Sequence, residues 1–179
     1  KRKLSHTKNT VEALKERISS KTKDLFERLE IMNAVELKAR YDIELEEYAK
    51  RIQIESRLLG DLARNHIIPT AMRYQNLLVT NCAQLKSMYE KDFKSVAQDQ
   101  LDVIEKISFY IKDIQEGVDA MTLSRKRANT QDLQDRAESY CYKVLPFLEQ
   151  IRNNCDKLEL LVEDELWPLP KYRELLFIN

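Results

Sequence analysis

Apolar residues along this chain return every three or four positions, the period of one face of a helix, and the alternation of a half-buried strand is absent. From Leu4 to Leu29 the repeat runs Val11, Leu14, Ile18, Leu25, Leu29 with lysines and glutamates between, which predicts one amphipathic helix, open to fraying at Ser19 and Ser20. Asn33-Ala34-Val35-Glu36 has the form of a capping box: an asparagine to accept an orphan N–H and a glutamate three residues on to reach back. A second helix is therefore expected near Ala34, with its stripe on Leu37, Tyr41, Leu45, Tyr48, Ile52, Leu59 and Leu62. The stripe continues beyond Pro69 through Tyr74, Leu78 and Leu85. Proline lacks an N–H and crowds the preceding turn, so a kink is expected between His66 and Pro69.

The polar stretch Lys86 to Lys94 is expected to reverse the chain into a third helix carrying Ala97, Leu101, Ile104, Ile107, Ile111, Ile114, Val118 and Met121 inward. Arg125-Lys126-Arg127 at its end suits the negative end of a helix dipole. Asn129 and Thr130 are candidate caps for a fourth helix, whose seam Ala137, Cys141, Val144, Leu148, Ile151, Cys155, Leu158, Val162 steps by four and three throughout. Pro146 lies within that seam and predicts a second bend. Trp167-Pro168-Leu169-Pro170 enforces an extended segment, and a last turn follows through Tyr172 to Phe177. The expected fold is all-α: an antiparallel bundle of three long, proline-kinked helices, plus an N-terminal helix and a short C-terminal helical tail. Residues 1–30 read as an N-terminal helix or connector and 31–179 as the bundle domain.

Composition agrees with such a body. The chain has 179 residues, 43% hydrophobic and 34% charged, with only two glycines, Gly60 and Gly117. A backbone that cradles phosphate normally uses several glycines, so no nucleotide loop is expected. Thirty basic residues balance thirty acidic ones, which gives no field to gather nucleic acid or an anionic membrane. No apolar run approaches the roughly 20 residues of a membrane span, and the cytoplasm is the expected location. The chain opens on Lys1-Arg2-Lys3 without a methionine, which suggests a piece of a longer polypeptide.

Candidate chemistry is sparse. Cys82, Cys141 and Cys155 form no C-x-x-C pair and read as buried thiols packed like small hydrophobes. The two histidines, His6 and His66, stand apart and neither follows a glutamate by three residues, which disfavours a carboxylate-bridged di-iron site. Glu44-Glu46-Glu47 and Glu163-Asp164-Glu165 read as solvated faces, the basic triplets as solvated helix ends, and no serine sits in a nucleophile-elbow context. No catalytic, cofactor or metal residue is expected. The tail differs: Leu166, Trp167, Leu169, Tyr172, Leu175, Leu176 and Phe177 are too apolar for a loose terminus, and are expected to fold back or to dock on a neighbouring domain or subunit.

Three stretches carry a resemblance. Glu36-Leu37-Lys38-Ala39-Arg40-Tyr41-Asp42-Ile43-Glu44-Leu45-Glu46-Glu47-Tyr48, then Asn65-His66-Ile67-Ile68-Pro69-Thr70-Ala71, then Cys155-Asp156-Lys157-Leu158-Glu159-Leu160 through Trp167-Pro168-Leu169-Pro170-Lys171-Tyr172-Arg173-Glu174-Leu175-Leu176-Phe177 resemble the C-terminal region of bacterial type III glutamine synthetases. The resemblance runs from about Leu25 to the end, and the Trp-Pro to Leu-Leu-Phe ending is its most specific part. It implies a parent enzyme that joins ammonia to glutamate through a γ-glutamyl phosphate, using ATP and a divalent metal (Mg or Mn), in a large ring-based homo-oligomer. It also implies that the family's metal, nucleotide and glutamate sites belong to an upstream catalytic domain, so this piece by itself is expected to be non-catalytic. Its expected partners are that domain and neighbouring subunits, with no nucleic acid and no membrane. The competing expectation, from the bundle alone, is a free-standing helical adaptor or protein-interaction module.

Overall fold

The computed structural model describes residues 6–176, and every regular element among them is helical. In chain order these are α1 (Thr10–Arg17), α2 (Ser20–Arg28), α3 (Ala34–Leu62), a π-helical turn (Ala63–Ile67), α4 (Ile68–Met88), α5 (Phe93–Ala128), α6 (Leu133–Ser139), a second π turn (Tyr140–Val144), α7 (Leu145–Glu159), a 3₁₀ turn (Asp164–Leu166) and α8 (Tyr172–Leu176).

The N-terminal stretch is two helices where periodicity predicted one. Ile18 closes α1, and Ser19 leaves helical geometry to cap α2, its Oγ accepting from the Thr22 N–H. The break changes the phase of the apolar face. Val11 and Leu14 are buried as expected, but Leu25 and Leu29 face solvent and Phe26 turns partly inward in their place. Glu30, at φ 53°, follows the end of α2 in left-handed backbone geometry. The capping box forms as its sequence requires: Asn33 Oδ1 accepts from the Val35 and Glu36 N–H groups, and Glu36 Oε2 accepts from the Asn33 N–H at 2.9 Å. For α6 the cap is Asp132, which accepts from the Asp135 N–H, and the expected caps Asn129 and Thr130 lie upstream of it.

Both helix-interior prolines are preceded by a π turn. Ile68, before Pro69, donates its N–H to the Ala63 carbonyl, and Leu145, before Pro146, donates to that of Tyr140, each one residue wider than an α turn. The reason is steric. A proline ring collides with the carbonyl four residues back, and an extra residue in the turn moves that carbonyl away.

The helices build two compact units, and α3, α5 and α7 contribute residues to both. One consists of the chain up to Arg57 with Ala120–Leu148. Its core packs Val11 and Leu14 of α1 against Tyr41 and Leu45 of α3 and Ala137 and Cys141 of the α6 region, with Ile18, Tyr48 and Leu133 around them. Polar contacts hold the same neighbours: Lys15 pairs with Glu138 at 2.7 Å, Arg17 with Glu44, and the Tyr142 hydroxyl meets Asn9 and Glu12 at 2.8 and 3.0 Å. Gln53 of α3 donates to Asn129 at the end of α5, and Arg125 donates to the buried Ser56.

The other unit is Leu58–Asp119 with the chain from Glu149. Here Arg64 pairs with Asp119, Gln75 donates to Ser108 and the Ile104 carbonyl, and Cys82 contacts Gln100, so α4 and the facing part of α5 run in opposite directions. Against α7, Gly117 faces Ile151, Asp113 accepts from Gln150 and Asn154, and Lys157 lies over the Tyr110 ring at 5.4 Å, again with opposed direction. A Cβ on Gly117 would stand 3.1 Å from Ile151 Cγ1, so glycine is what lets these two helices approach.

Candidate functional site

The C-terminal segment is built by its prolines. Trp167 is held extended ahead of Pro168, as residues preceding proline are, and α8 starts only after Pro170. Its start is capped in part by Glu174, which accepts from the Lys171 N–H at 3.1 Å, while the Lys171 ammonium pairs with Asp164. Of the apolar residues singled out in the sequence, Leu166, Trp167 and Leu169 are half-buried. Leu175 and Leu176 remain 58% and 61% exposed, a large apolar area to leave in water. Phe177 lies outside the described residues, as does the side chain of Tyr172.

A second apolar surface escaped the sequence reading. At the turn between α2 and α3, Leu29, Ile31 and Val35 are 56%, 55% and 78% exposed, with Leu25 beside them in sequence. Next to it opens a cavity of about 330 Å³ whose apolar wall is Phe26, Met32, Leu37 and Tyr41 and whose polar lining includes Glu16, Arg17 and Arg40. The signal in the sequence was present but misassigned, because Leu25 and Leu29 continue the heptad-like series of α1 until the break at Ser19 turns them outward.

The candidate reactive groups are held as packing residues. Cys82, Cys141 and Cys155 are buried free thiols. Burial, with Asp156 adding to it, pushes the Cys155 thiol up to about 12, far from any nucleophilic range. His66 sits exposed on the first π turn. Among the described residues no three His, Cys, Asp or Glu side chains are grouped as a metal ion would need, and no helix is long and apolar enough to cross a membrane.

Helical seams, two exposed apolar surfaces and buried free thiols define an all-helical domain. Residues 1–86, ending within α4, match the family described as "Glutamine synthetase C-terminal domain". Relatives extend the likeness over the rest of the chain. A glutamine synthetase of Bacteroides fragilis (strain YCH46) is 45% identical over 149 residues, covering 82% of this chain and 20% of that protein. A type-3 glutamine synthetase of Dictyostelium discoideum is 29% identical over 98% of this chain and 24% of its own length, so the likeness is not confined to bacteria. A glutamine synthetase of Butyrivibrio fibrisolvens is 27% identical over 99% of this chain and 25% of its own. Residues 1–86 belong to the C-terminal domain family of glutamine synthetases, the relatives carry the likeness over the rest, and the chain spans only a fifth to a quarter of the length of the curated relatives it matches.

Proposed function

We propose that this chain is the non-catalytic buttress of a type III glutamine synthetase: a helical domain that braces an upstream catalytic portion and contributes contacts between subunits of a ring-based homo-oligomer in the cytoplasm. The parent enzyme would ligate ammonia to glutamate with ATP and a divalent metal, and the residues for that chemistry would lie outside these 179. The reading includes an antiparallel bundle of three long helices bent at Pro69 and Pro146. The opposed pairings of Gln75 with Ser108 and of Asp113 with Asn154, and the π turn ahead of each proline, support it. It also assigns residues 1–30 a connecting role and 31–179 the bundle. The end of α2 and the left-handed backbone at Glu30 support a boundary there, while burial of Val11 and Leu14 makes the connector a packed one.

The observation that carries the proposal is the tail. Leu175 and Leu176 project from a short helix anchored by Trp167-Pro168, and two adjacent leucines that exposed are stabilised by a covering surface. The docking residues are Leu166, Trp167, Leu169, Tyr172, Leu175, Leu176 and Phe177. The corner of Leu29, Ile31 and Val35 is a second contact surface of the same kind.

The test uses the full-length enzyme. Truncation before Asn33, or the paired substitution Leu175→Asp with Leu176→Asp, should shrink the assembly measured by light scattering and lower glutamine formation in step with it. Unchanged mass and activity in both variants would show that neither surface is a contact.

A further inference from the structure

Within the first unit lies a polar cavity of about 220 Å³ that the packing role does not use. Its walls come from one face of α3 (Glu46, Lys50, Gln53), from Asn129 beyond the end of α5, and from Arg136 and Tyr140. Residues 46, 50, 53 and 57 recur at four, three and four, so Arg57 continues that face of α3. Arg125 approaches from α5, with its guanidinium donating to Ser56 Oγ at 3.5 Å. Tyr140, 1% exposed, donates its hydroxyl to Asn129 Oδ1 at 2.8 Å and fixes the floor.

The charges here do not balance. Two cations, Lys50 and Arg136, line the cavity, and two more, Arg57 and Arg125, stand near enough to act on Tyr140 in its wall, while the one lining carboxylate, Glu46, already holds the Lys50 ammonium at 2.8 Å. Among the described residues no carboxylate stands at ion-pair distance from Arg57, Arg125 or Arg136, and Glu46 attracts Arg136 only from farther off. Arg136 spends one N–H on the Gln131 carbonyl at 3.0 Å, yet its Nε is buried without any acceptor. A guanidinium donor shut away from water and unmatched costs free energy that an arriving acceptor recovers. The crowding is felt by the groups themselves: burial and then the neighbouring Arg57 hold the Arg125 guanidinium below its ordinary value. Arginine forks match the oxygens of a tetrahedral oxyanion, and a monocarboxylate would leave more of this charge unanswered than a dianion does.

We infer that the cavity between α3, the end of α5 and α6 is a phosphate-binding site, with Arg57, Arg125, Arg136 and Lys50 supplying the charge and Gln53, Asn129 and Tyr140 the neutral polar wall. Occupied, it would tie α3 to the ends of α5 and α6 by neutralising their mutual repulsion. Free inorganic phosphate and the phosphate groups of a nucleotide present the same chemistry.

Hydrogen–deuterium exchange on the full-length protein separates them and reads the site locally. Inorganic phosphate should slow exchange in peptides covering Lys50 to Arg57 and Arg125 to Tyr140, while potassium chloride at equal ionic strength should not. Each of Arg57→Gln and Arg136→Gln should weaken that protection about tenfold in phosphate concentration, the loss of one charge-assisted contact. Arg57 is exposed, so its variant keeps the fold and remains readable. Protection by ADP or ATP but not by phosphate would assign the site to a nucleotide's phosphates. No protection by any of the three, equal protection by chloride, or protection unaltered in both variants would overturn the inference.

Discussion

At the residue scale, Gly117 is where two opposed tendencies can be weighed. Glycine inside a helix costs about 1 kcal/mol relative to alanine, so Gly117→Ala gains that much in helix propensity. The new methyl would press on Ile151 Cγ1 at 3.1 Å, and Ile151 is fully buried and branched at Cβ, which restricts its χ1, so it has little room to yield. Overpacking of this kind costs about 1 to 3 kcal/mol. Packing should win: urea unfolding of Gly117→Ala is expected to show a loss of about 1 kcal/mol. The loss should shrink in the background Ile151→Ala, where the clash is gone; a gain in stability in the parent background would mean that α5 and α7 are not held at this distance. Asn33 is simpler, because both its hydrogen bonds are local. Asn33→Ala removes the acceptor for two N–H groups and should cost about 1 kcal/mol, read as a lower denaturation midpoint. The same locality made Asn33 legible in the sequence, since a cap and its partner three residues on need no knowledge of the rest of the fold.

At the element scale the prolines decide what could be foreseen. That Pro69 and Pro146 disturb long helices follows from ring geometry alone. That the disturbance takes the form of a π turn does not, because the extra residue must be packed before it is tolerated: Ala63, Ile67, Tyr140 and Val144 on the two turns are each at most 2% exposed. A prediction follows from the residue count. Deleting Asn65 restores α register but returns a carbonyl to the path of the Pro69 ring, and should destabilise strongly, by about 3 kcal/mol or more. Adding Pro69→Ala to the deletion removes the ring and should recover most of the loss, measured by thermal unfolding. If the double variant is no more stable than the deletion, the turn serves packing and not the proline. The break at Ser19 teaches the converse. Serine as a cap competes weakly with a continuing apolar series in the sequence, and only the structure shows that the cap wins and turns Leu25 and Leu29 outward.

At the scale of the whole molecule, buried acids set a limit at high pH. Burial raises Tyr41, Tyr48 and Tyr140 in the first unit and Cys155 in the second. For an acid whose folded value lies above its unfolded one, the unfolded chain releases the proton first, so the contribution is fully present below the unfolded value and is lost as pH rises toward the folded one. For Cys155 that window runs from its ordinary 9.0 to about 12. Thermal midpoints should therefore hold near neutrality and fall steadily above about pH 9, and Cys155→Ala should flatten part of the fall; a midpoint unchanged across that window would contradict the burial of these groups. The sequence by itself determined the helical class, the stripes of the long helices from α3 onward, the α3 cap and the likeness to a glutamine synthetase C-terminal region, because period, capping and motif are properties of neighbouring residues. Tertiary structure alone decided which stripes meet, that Gly117 admits Ile151, that apolar side chains at the α2–α3 turn and in α8 stay exposed, and that Lys50 and Arg136 line one cavity with Arg57 and Arg125 close to its Tyr140 wall. Those outcomes depend on which surfaces bury each other, and a helical period specifies a face without specifying its partner.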